Sequence, residues 1–196
     1  MLERLRHFAS GHNVRIALLV FIIALSGMNI AATLFYHASG GYGILDLGGG
    51  ANLLDDRGSY TPARAYMLIA HYGEAGIHHY YGLLIADMFF PPTLGVFALL
   101  AIVWGIARIA PQRHWPYLLA LLPLAYTVAD WTENTGIVIM LLNYPQQWPD
   151  VAMYTNIVRG VKSTLANTSI LIALVTWLWA LWQQRVQVAP KRKSFN

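Results

Sequence analysis

Three acidic side chains lie inside apolar stretches of this 196-residue chain, and they are the residues whose positions suggest chemistry. Asp130 and Glu133 are followed by Asn134, and the spacing of three and four residues places all three on one face of an α-helix. Asp87 lies in a separate apolar stretch. An acid at the centre of a spanning helix costs about 2.5–3.5 kcal/mol on insertion, so it is kept where it faces protein or water. We therefore expect the three acids to share a polar cavity that opens toward the outer face.

Carboxylates gathered in a site of low dielectric can hold a proton at neutral pH, which suits acid–base catalysis or proton-coupled binding. We expect Asp87, Asp130 and Glu133 to be the catalytic groups. Pro91-Pro92 is expected to bend the helix just after Asp87. The alternative is that the acids pair with basic and amide side chains and only fix helix packing. The residues expected to bind substrate around them are Asn134, Tyr126, Lys162, Arg159, Asn167 and Asn29.

A second, weaker candidate site combines two histidines with an acid. His71, Glu74 and His78 have the spacing of one face of a continuous helix, and imidazole with carboxylate suits zinc or iron. Gly73 and Gly76 interrupt that helix, which favours histidines facing headgroups and water. We therefore predict no metal site, keep these three residues as weak candidates, and assign no cofactor.

The composition places these residues in a membrane protein. The chain is 57% hydrophobic and 11% charged, with a mean hydropathy of +0.46, whereas a soluble domain is about 25% charged. It has no cysteine, which excludes disulfides and thiolate sites. The net charge of +4 comes from basic residues beside apolar segments, a membrane signature, so membrane lipids and not nucleic acid are the expected partners.

Four apolar stretches are long enough to cross a bilayer, because a spanning helix needs about 20 residues. They are residues 16–36, 80–107, 115–144 and 165–182. We predict an all-α, four-helix membrane bundle forming a single transmembrane domain over residues 1–196. The outer loop, residues 37–79, begins with a glycine-rich stretch and contains an interfacial helix that starts at Thr61-Pro62 and ends near Gly73.

The distribution of basic residues predicts the orientation. Nine of the 13 Lys and Arg residues lie on the side of the two termini and four on the other side. The excess of basic residues marks the cytoplasmic side, so both termini are expected in the cytoplasm of a bacterium, with the protein in the inner (plasma) membrane.

Two short motifs carry a resemblance to a known family. Asp87-x-x-Phe90-Pro91 and Asp130-x-x-Glu133-Asn134, together with Gly58-Ser59-Tyr60-Thr61-Pro62, resemble those of an uncharacterised family of four-span bacterial inner-membrane proteins. The resemblance covers about residues 15–185 and implies the four-span topology. It implies no activity, because none is attached to that family.

Three functions fit these observations. The first is an intramembrane enzyme on a lipidic or amphipathic substrate, with Asp130 and Glu133 as the acid–base pair and Asp87 assisting. The second is a proton-coupled small transporter or channel component, expected as a homodimer because four helices enclose little volume. The third is an accessory or assembly subunit of a larger membrane complex, whose acids bind a basic span of a partner.

Overall fold

The computed structural model describes residues 2–38, Leu54 and residues 59–188, and every regular element in that part of the chain is helical. A 3₁₀ helix, Trp115–Leu121, precedes the fifth α-helix. The α-helices are α1 (Leu2–Phe8), α2 (Gly11–Ala38), α3 (Pro62–Asp87), α4 (Phe90–Ile109), α5 (Leu122–Asn143) and α6 (Pro149–Val188).

Three helical segments of the described chain are long and apolar enough to cross a membrane. They are Gly11–Ala31, Pro62–Ile109, which joins α3 to α4, and Pro149–Gln183. The prediction of an all-helical protein whose helices are long and apolar enough to span a membrane is confirmed for the described residues. The third predicted span corresponds to the 3₁₀ helix and α5, which contains both Asp130 and Glu133 and is not one of the three segments.

The α4 helix lies at the centre of the molecule, in contact with α2, α5 and α6. Most of its residues are buried, whereas α2 and α6 expose large apolar side chains on their outer faces. Small residues let the helices approach closely. A Cβ atom added at Gly105 would lie 2.6 Å from the Cβ of Thr176 on α6, closer than two carbon atoms can approach. The tight packing around α4 fixes how α5 and α6 are placed beside it.

The second predicted span, residues 80–107, is divided between two helices. The α3 helix ends at Asp87 and α4 begins at Phe90, with Met88 and Phe89 in the turn between them. Pro91 and Pro92 follow directly, and proline is favoured in the first turn of a helix because its missing N–H has no intrahelical partner there. Met88 and Phe89 keep right-handed helical backbone angles, so the predicted bend after Asp87 is a two-residue interruption at which Asp87 ends α3.

The helix predicted after Thr61-Pro62 begins there, and the Thr61 hydroxyl accepts a hydrogen bond from the Arg64 backbone N–H at 3.3 Å. The helical conformation is interrupted at Gly73, where the sequence predicts the end of this helix. That glycine adopts a φ of 62° and a ψ of −178°, a non-helical conformation that strongly favours glycine. A second helical segment follows this kink and continues to Asp87, so α3 consists of two helical segments that meet at Gly73.

Two apolar cores lie along the bundle. The first core surrounds α4 and includes Phe97, Ile102 and Tyr126. The second core surrounds α3 and includes Tyr80, Met140 and other buried residues. Leu54, which precedes α3, is fully buried in the second core and links the outer loop to the bundle.

Part of the predicted outer loop and the basic tail lie outside the described residues. These parts are residues 39–53 and 55–58, which include the glycine-rich stretch, and residues 189–196. The fourth predicted span, residues 165–182, is the middle of the 40-residue α6. The first, residues 16–36, lies within α2.

Candidate functional site

The three predicted acids meet between the two apolar cores. Asp87 comes from the end of α3, whereas Asp130 and Glu133 come from the middle of α5. Two basic residues of α6 face them. We call the group the charged cluster, and its members are Asp87, Asp130, Glu133, Asn134, Arg159 and Lys162.

On both α5 and α6, the residues of the charged cluster lie between a residue of the first core and a residue of the second core. On α5, Tyr126 belongs to the first core and Met140 to the second, and the polar residues 130–134 lie between them. On α6, Ala152 belongs to the second core and Ala173 to the first, with Arg159 and Lys162 between them. The cluster is therefore a polar layer with apolar packing on both sides.

Lys162 joins the two acids of α5. Its Nζ lies 3.1 Å from Asp130 Oδ1 and also contacts Glu133 Oε2. The side chains of Asp130 and Glu133 are 4% and 0% exposed, so both ion pairs are shielded from solvent. Shielding of this kind strengthens the attraction between the charges and raises the cost of losing either partner.

Arg159 joins the cluster to the chain before α3. Its Nε lies 3.9 Å from Glu133 Oε1, and its Nη1 donates to the Leu54 carbonyl at 3.0 Å. The guanidinium also lies 5.8 Å from the centre of the Tyr60 ring. The Tyr60 backbone N–H donates to Asn156 Oδ1 at 2.9 Å, one turn before Arg159 on α6. Leu54 and Tyr60 are thereby held against α6 beside the cluster.

Asn134 links the remaining acid to the cluster. Its Nδ2 donates to Asp87 Oδ2 at 2.9 Å and to Asp130 Oδ2 at 3.2 Å, so one amide group bridges α3 and α5. The residue is 2% exposed. Among the described residues, no donor forms a hydrogen bond with its buried Oδ1 atom. Asn134 is therefore a crosslink between two carboxylates.

The cluster combines acidic and basic side chains at close range. It contains three carboxyl groups, from Asp87, Asp130 and Glu133, and two basic side chains, from Arg159 and Lys162. In a site of low dielectric, a proton bound by one of these carboxyl groups lowers the cost of burying its charge. This arrangement can therefore hold a proton without exposing a charge to lipid.

Of the other predicted substrate-binding residues, Tyr126 is near the cluster and two are not. Tyr126 is buried one turn before Asp130 on the same helix. Asn167 is exposed on α6. Asn29 is exposed on α2, and its Nδ2 donates to the Leu25 carbonyl of its own helix at 2.7 Å. The structure does not bring Asn167 or Asn29 to the cluster.

The weak metal candidates do not form a group. His71, Glu74 and His78 are all exposed, and the kink at Gly73 separates the first from the other two. Within the described part of the chain, no group of three or more His, Cys, Asp or Glu side chains is arranged to hold a metal ion.

Lys162 has the most exposed side chain of the three ion pairs, at 15%, compared with 10% for Arg159. A groove of about 440 Å³ lies between α5 and α6 and is lined in part by Thr132, Thr135 and Tyr154. No residue of the charged cluster lines this groove, so the groove does not reach the acids.

Sequence reasoning missed the part played by Tyr60, Asn156 and Leu54. Asn156 is one turn before Arg159, a spacing that puts it on the same helix face, and this was the available signal. The contacts of Leu54 and Tyr60 join residues about 100 positions apart, and no pattern in the sequence predicts them.

No family model, curated protein or solved structure matches this chain. The resemblance to the four-span family stays a prediction, and the functional conclusion depends on the geometry of the charged cluster.

Proposed function

We propose that this is a membrane protein whose charged cluster binds and releases a proton, as part of a proton-coupled small transporter or channel component. The observation that supports this proposal is the sharing of Lys162 between two carboxyl groups that are shielded from solvent. Lys162 contacts both Asp130 and Glu133, so protonation of either carboxyl group leaves the lysine paired with the other. Buried ionisable groups in membrane proteins commonly mark ion and proton pathways.

The proposed topology has four spans, of which the 3₁₀ helix and α5 form the third. Asp130, Glu133 and Asn134 reduce the hydropathy of α5, but all three are buried in the cluster, whereas Leu124 and Val128 are exposed. A helix of this kind is stable in a bilayer because protein, and not lipid, surrounds its acids. The basic residues support placing both termini in the cytoplasm of a bacterial cell.

The proposed position of the cluster is the outer half of the bilayer. Asp87 is seven residues, or about 10 Å of helix, from Tyr80 near the outer boundary. It is 22 residues, or about 33 Å of helix, from Ile109 at the other end of α4. A proton from the outer face then has the shorter distance to travel, past the second core.

The contacts of Lys162 suggest how protonation changes the structure. Its ammonium group is shared between Asp130 and Glu133. Protonation of one carboxyl group weakens its attraction for Lys162 and leaves the lysine bound to the other. Because the two carboxylates are on α5 and the lysine is on α6, this redistribution changes the contact between the two helices. Such a change is what a carrier needs in order to couple proton binding to movement.

An intramembrane acid–base enzyme is the second candidate, and the partial exposure of Lys162 favours it. A lipidic substrate that enters laterally between α5 and α6 meets Lys162 first and then Asp130 and Glu133. These would be the acid and the base, with Asp87 assisting through Asn134. The accessory-subunit alternative is less well supported, because the acids already have basic partners within this chain.

Proton movement into vesicles containing the purified protein tests the proposal. A pH-sensitive dye inside the vesicles reports proton entry when the external buffer is acidified. We expect faster acidification with the wild-type protein than in empty vesicles, and a loss of that increase with Asp130→Asn. Asp150→Asn is the matched control because Asp150 is exposed and outside the cluster. Equal rates for wild type, Asp130→Asn and empty vesicles would contradict the proposal.

A further inference from the structure

A groove lies between α2 and α4 at the end of the molecule where the chain begins. It has a volume of about 360 Å³, and Phe8 of α1 contributes to one end of it. The lining residues of α2 run from Asn13 to Val20, which are seven residue steps, or about 10 Å of helix, apart. One leaflet of the hydrocarbon core is about 15 Å thick, so the groove fits within a single leaflet.

The surface of this groove is mainly apolar, and its polar side chains form hydrogen bonds within the protein. Its polar lining residues are Asn13 and Thr93, and both donate to backbone carbonyls. Asn13 Nδ2 donates to the Phe8 carbonyl at 2.6 Å, and Thr93 Oγ1 donates to the Phe90 carbonyl at 2.7 Å. Each of these side chains therefore has a hydrogen bond within the protein, and apolar side chains form the remaining surface. An alkyl chain is the ligand that such a surface suits.

Positive charge flanks the same end of the groove. Arg4 is one turn before Phe8 on α1, and Arg15 is next to the lining residue Ile16 on α2. Both arginines are exposed, and Arg15 Nε donates to the Gly11 carbonyl at 3.2 Å. Glu3 is an exposed acid in this segment. Arg6 is engaged elsewhere, because it donates to the Pro111 carbonyl and lies over the Tyr117 ring.

We propose that the groove, together with Arg4 and Arg15, is a binding site for an anionic phospholipid of the leaflet on the N-terminal side. One acyl chain occupies the groove, and the phosphate group is held by the two arginines. Guanidinium groups pair with phosphate through two parallel hydrogen bonds, and basic residues beside a membrane attract anionic lipids. The site requires neither proton binding nor transport, so the proposal of a lipid site does not depend on the proposed function.

Native mass spectrometry of the purified full-length protein tests this site with two defined lipids. Phosphatidylglycerol and phosphatidylcholine with identical acyl chains are added in equal amounts, and the lipid retained by the protein is counted. We expect phosphatidylglycerol to be retained about fivefold or more over phosphatidylcholine, and the double variant Arg4→Gln/Arg15→Gln to lose this preference. Arg64→Gln is the control, because Arg64 is an exposed arginine outside this site and should leave the preference unchanged.

A second pair of variants tests the groove. Val96→Trp places a large ring in the groove, whereas Val175→Trp makes the same exchange at an exposed position of α6. We expect the first variant to retain less of both lipids and the second to behave like the wild type. Equal retention of both lipids by the wild type would overturn the proposal, and so would retention of a second protein copy in place of lipid. The comparison of the two lipids with the wild-type protein tests the proposal even if a variant fails to fold.

Discussion

Asn134 Nδ2 donates to Asp87 Oδ2 at 2.9 Å, across the boundary between α5 and α3. The same nitrogen donates to Asp130 Oδ2, so a single amide group supplies hydrogen bonds to two carboxyl groups. This contact brings Asp87 into the charged cluster, although it is more than 40 residues away in the sequence. It also links the last residue of α3 to the middle of α5, near the acids that contact Lys162.

Replacement of Asn134 by alanine should weaken the fold. The change removes one hydrogen bond from each of two buried carboxyl groups, and the loss of such a bond costs about 1–3 kcal/mol. We expect the free energy of unfolding in detergent to fall by an amount in that range or somewhat more. Asn167→Ala is the control, because Asn167 is exposed on α6. Equal stability of the two variants would show that the bridge contributes nothing.

Replacement of Lys162 by methionine should destabilise the protein strongly at neutral pH, by about 3–5 kcal/mol. The change leaves Asp130 and Glu133 buried without their shared cation. Protonation removes the charge on these carboxyl groups, so the deficit should shrink as the pH falls and grow as it rises. Unfolding curves measured over a range of pH check the direction. Adding Glu133→Gln should restore part of the loss, and a deficit independent of pH would contradict the role of charge.

Alanine at Gly136 should disturb the contact between α5 and α6. A Cβ atom at this position would overlap Thr155 Oγ1, and overpacking of a core typically costs about 1–3 kcal/mol. Combining Gly136→Ala with Thr155→Ala should recover part of this loss, because the colliding oxygen is removed. Gly160→Ala, which has open space around its added carbon, should not destabilise the protein. Thermal unfolding of the three variants and the wild type in detergent measures the difference.

Alanine at Gly73 tests the kink in α3. The positive φ of 62° should cost a residue with a side chain about 1–2 kcal/mol, although no atom crowds the site. Gly82→Ala has equally open space at a position without positive φ and should be neutral or slightly stabilising. Thermal unfolding compares the two. A destabilised Gly82→Ala with an unaffected Gly73→Ala would show that the kink is not required.

The central residues of the candidate site could be predicted from the sequence, because the energetic cost of inserting an acid into a membrane can be assigned to a single residue. An acid in an apolar helix must face inward, and the i, i+3, i+4 spacing of Asp130, Glu133 and Asn134 placed them together. Lys162 and Arg159 were predicted to bind substrate, with pairing to the acids as the alternative, and the structure pairs both of them with acids. The interruption after Asp87 was predicted as a bend, since Pro91 and Pro92 mark a disturbance without giving its size.

Other features depended on tertiary contacts that leave no periodic pattern. Asn29 and Asn167 are polar residues in apolar helices, as the acids are, yet both are exposed. An amide can be exposed at lower cost than a charge, and Asn29 donates to its own helix backbone, so insertion energetics did not decide where they face. The anchoring of Leu54 on Arg159 depends on how a long loop returns to the bundle.

Infrared difference spectra of the protein in lipid membranes measure the protonation of the cluster itself. A protonated carboxylic acid has a C=O stretching band that a carboxylate lacks, and its position reports hydrogen bonding. At neutral pH we predict such a band from one buried carboxyl group, which is lost or shifted in Asp130→Asn and Glu133→Gln and unchanged in Glu74→Gln. Spectra in which wild type and both cluster variants show the same carboxylic acid bands from mildly acidic to mildly alkaline buffer would contradict the proton-binding cluster.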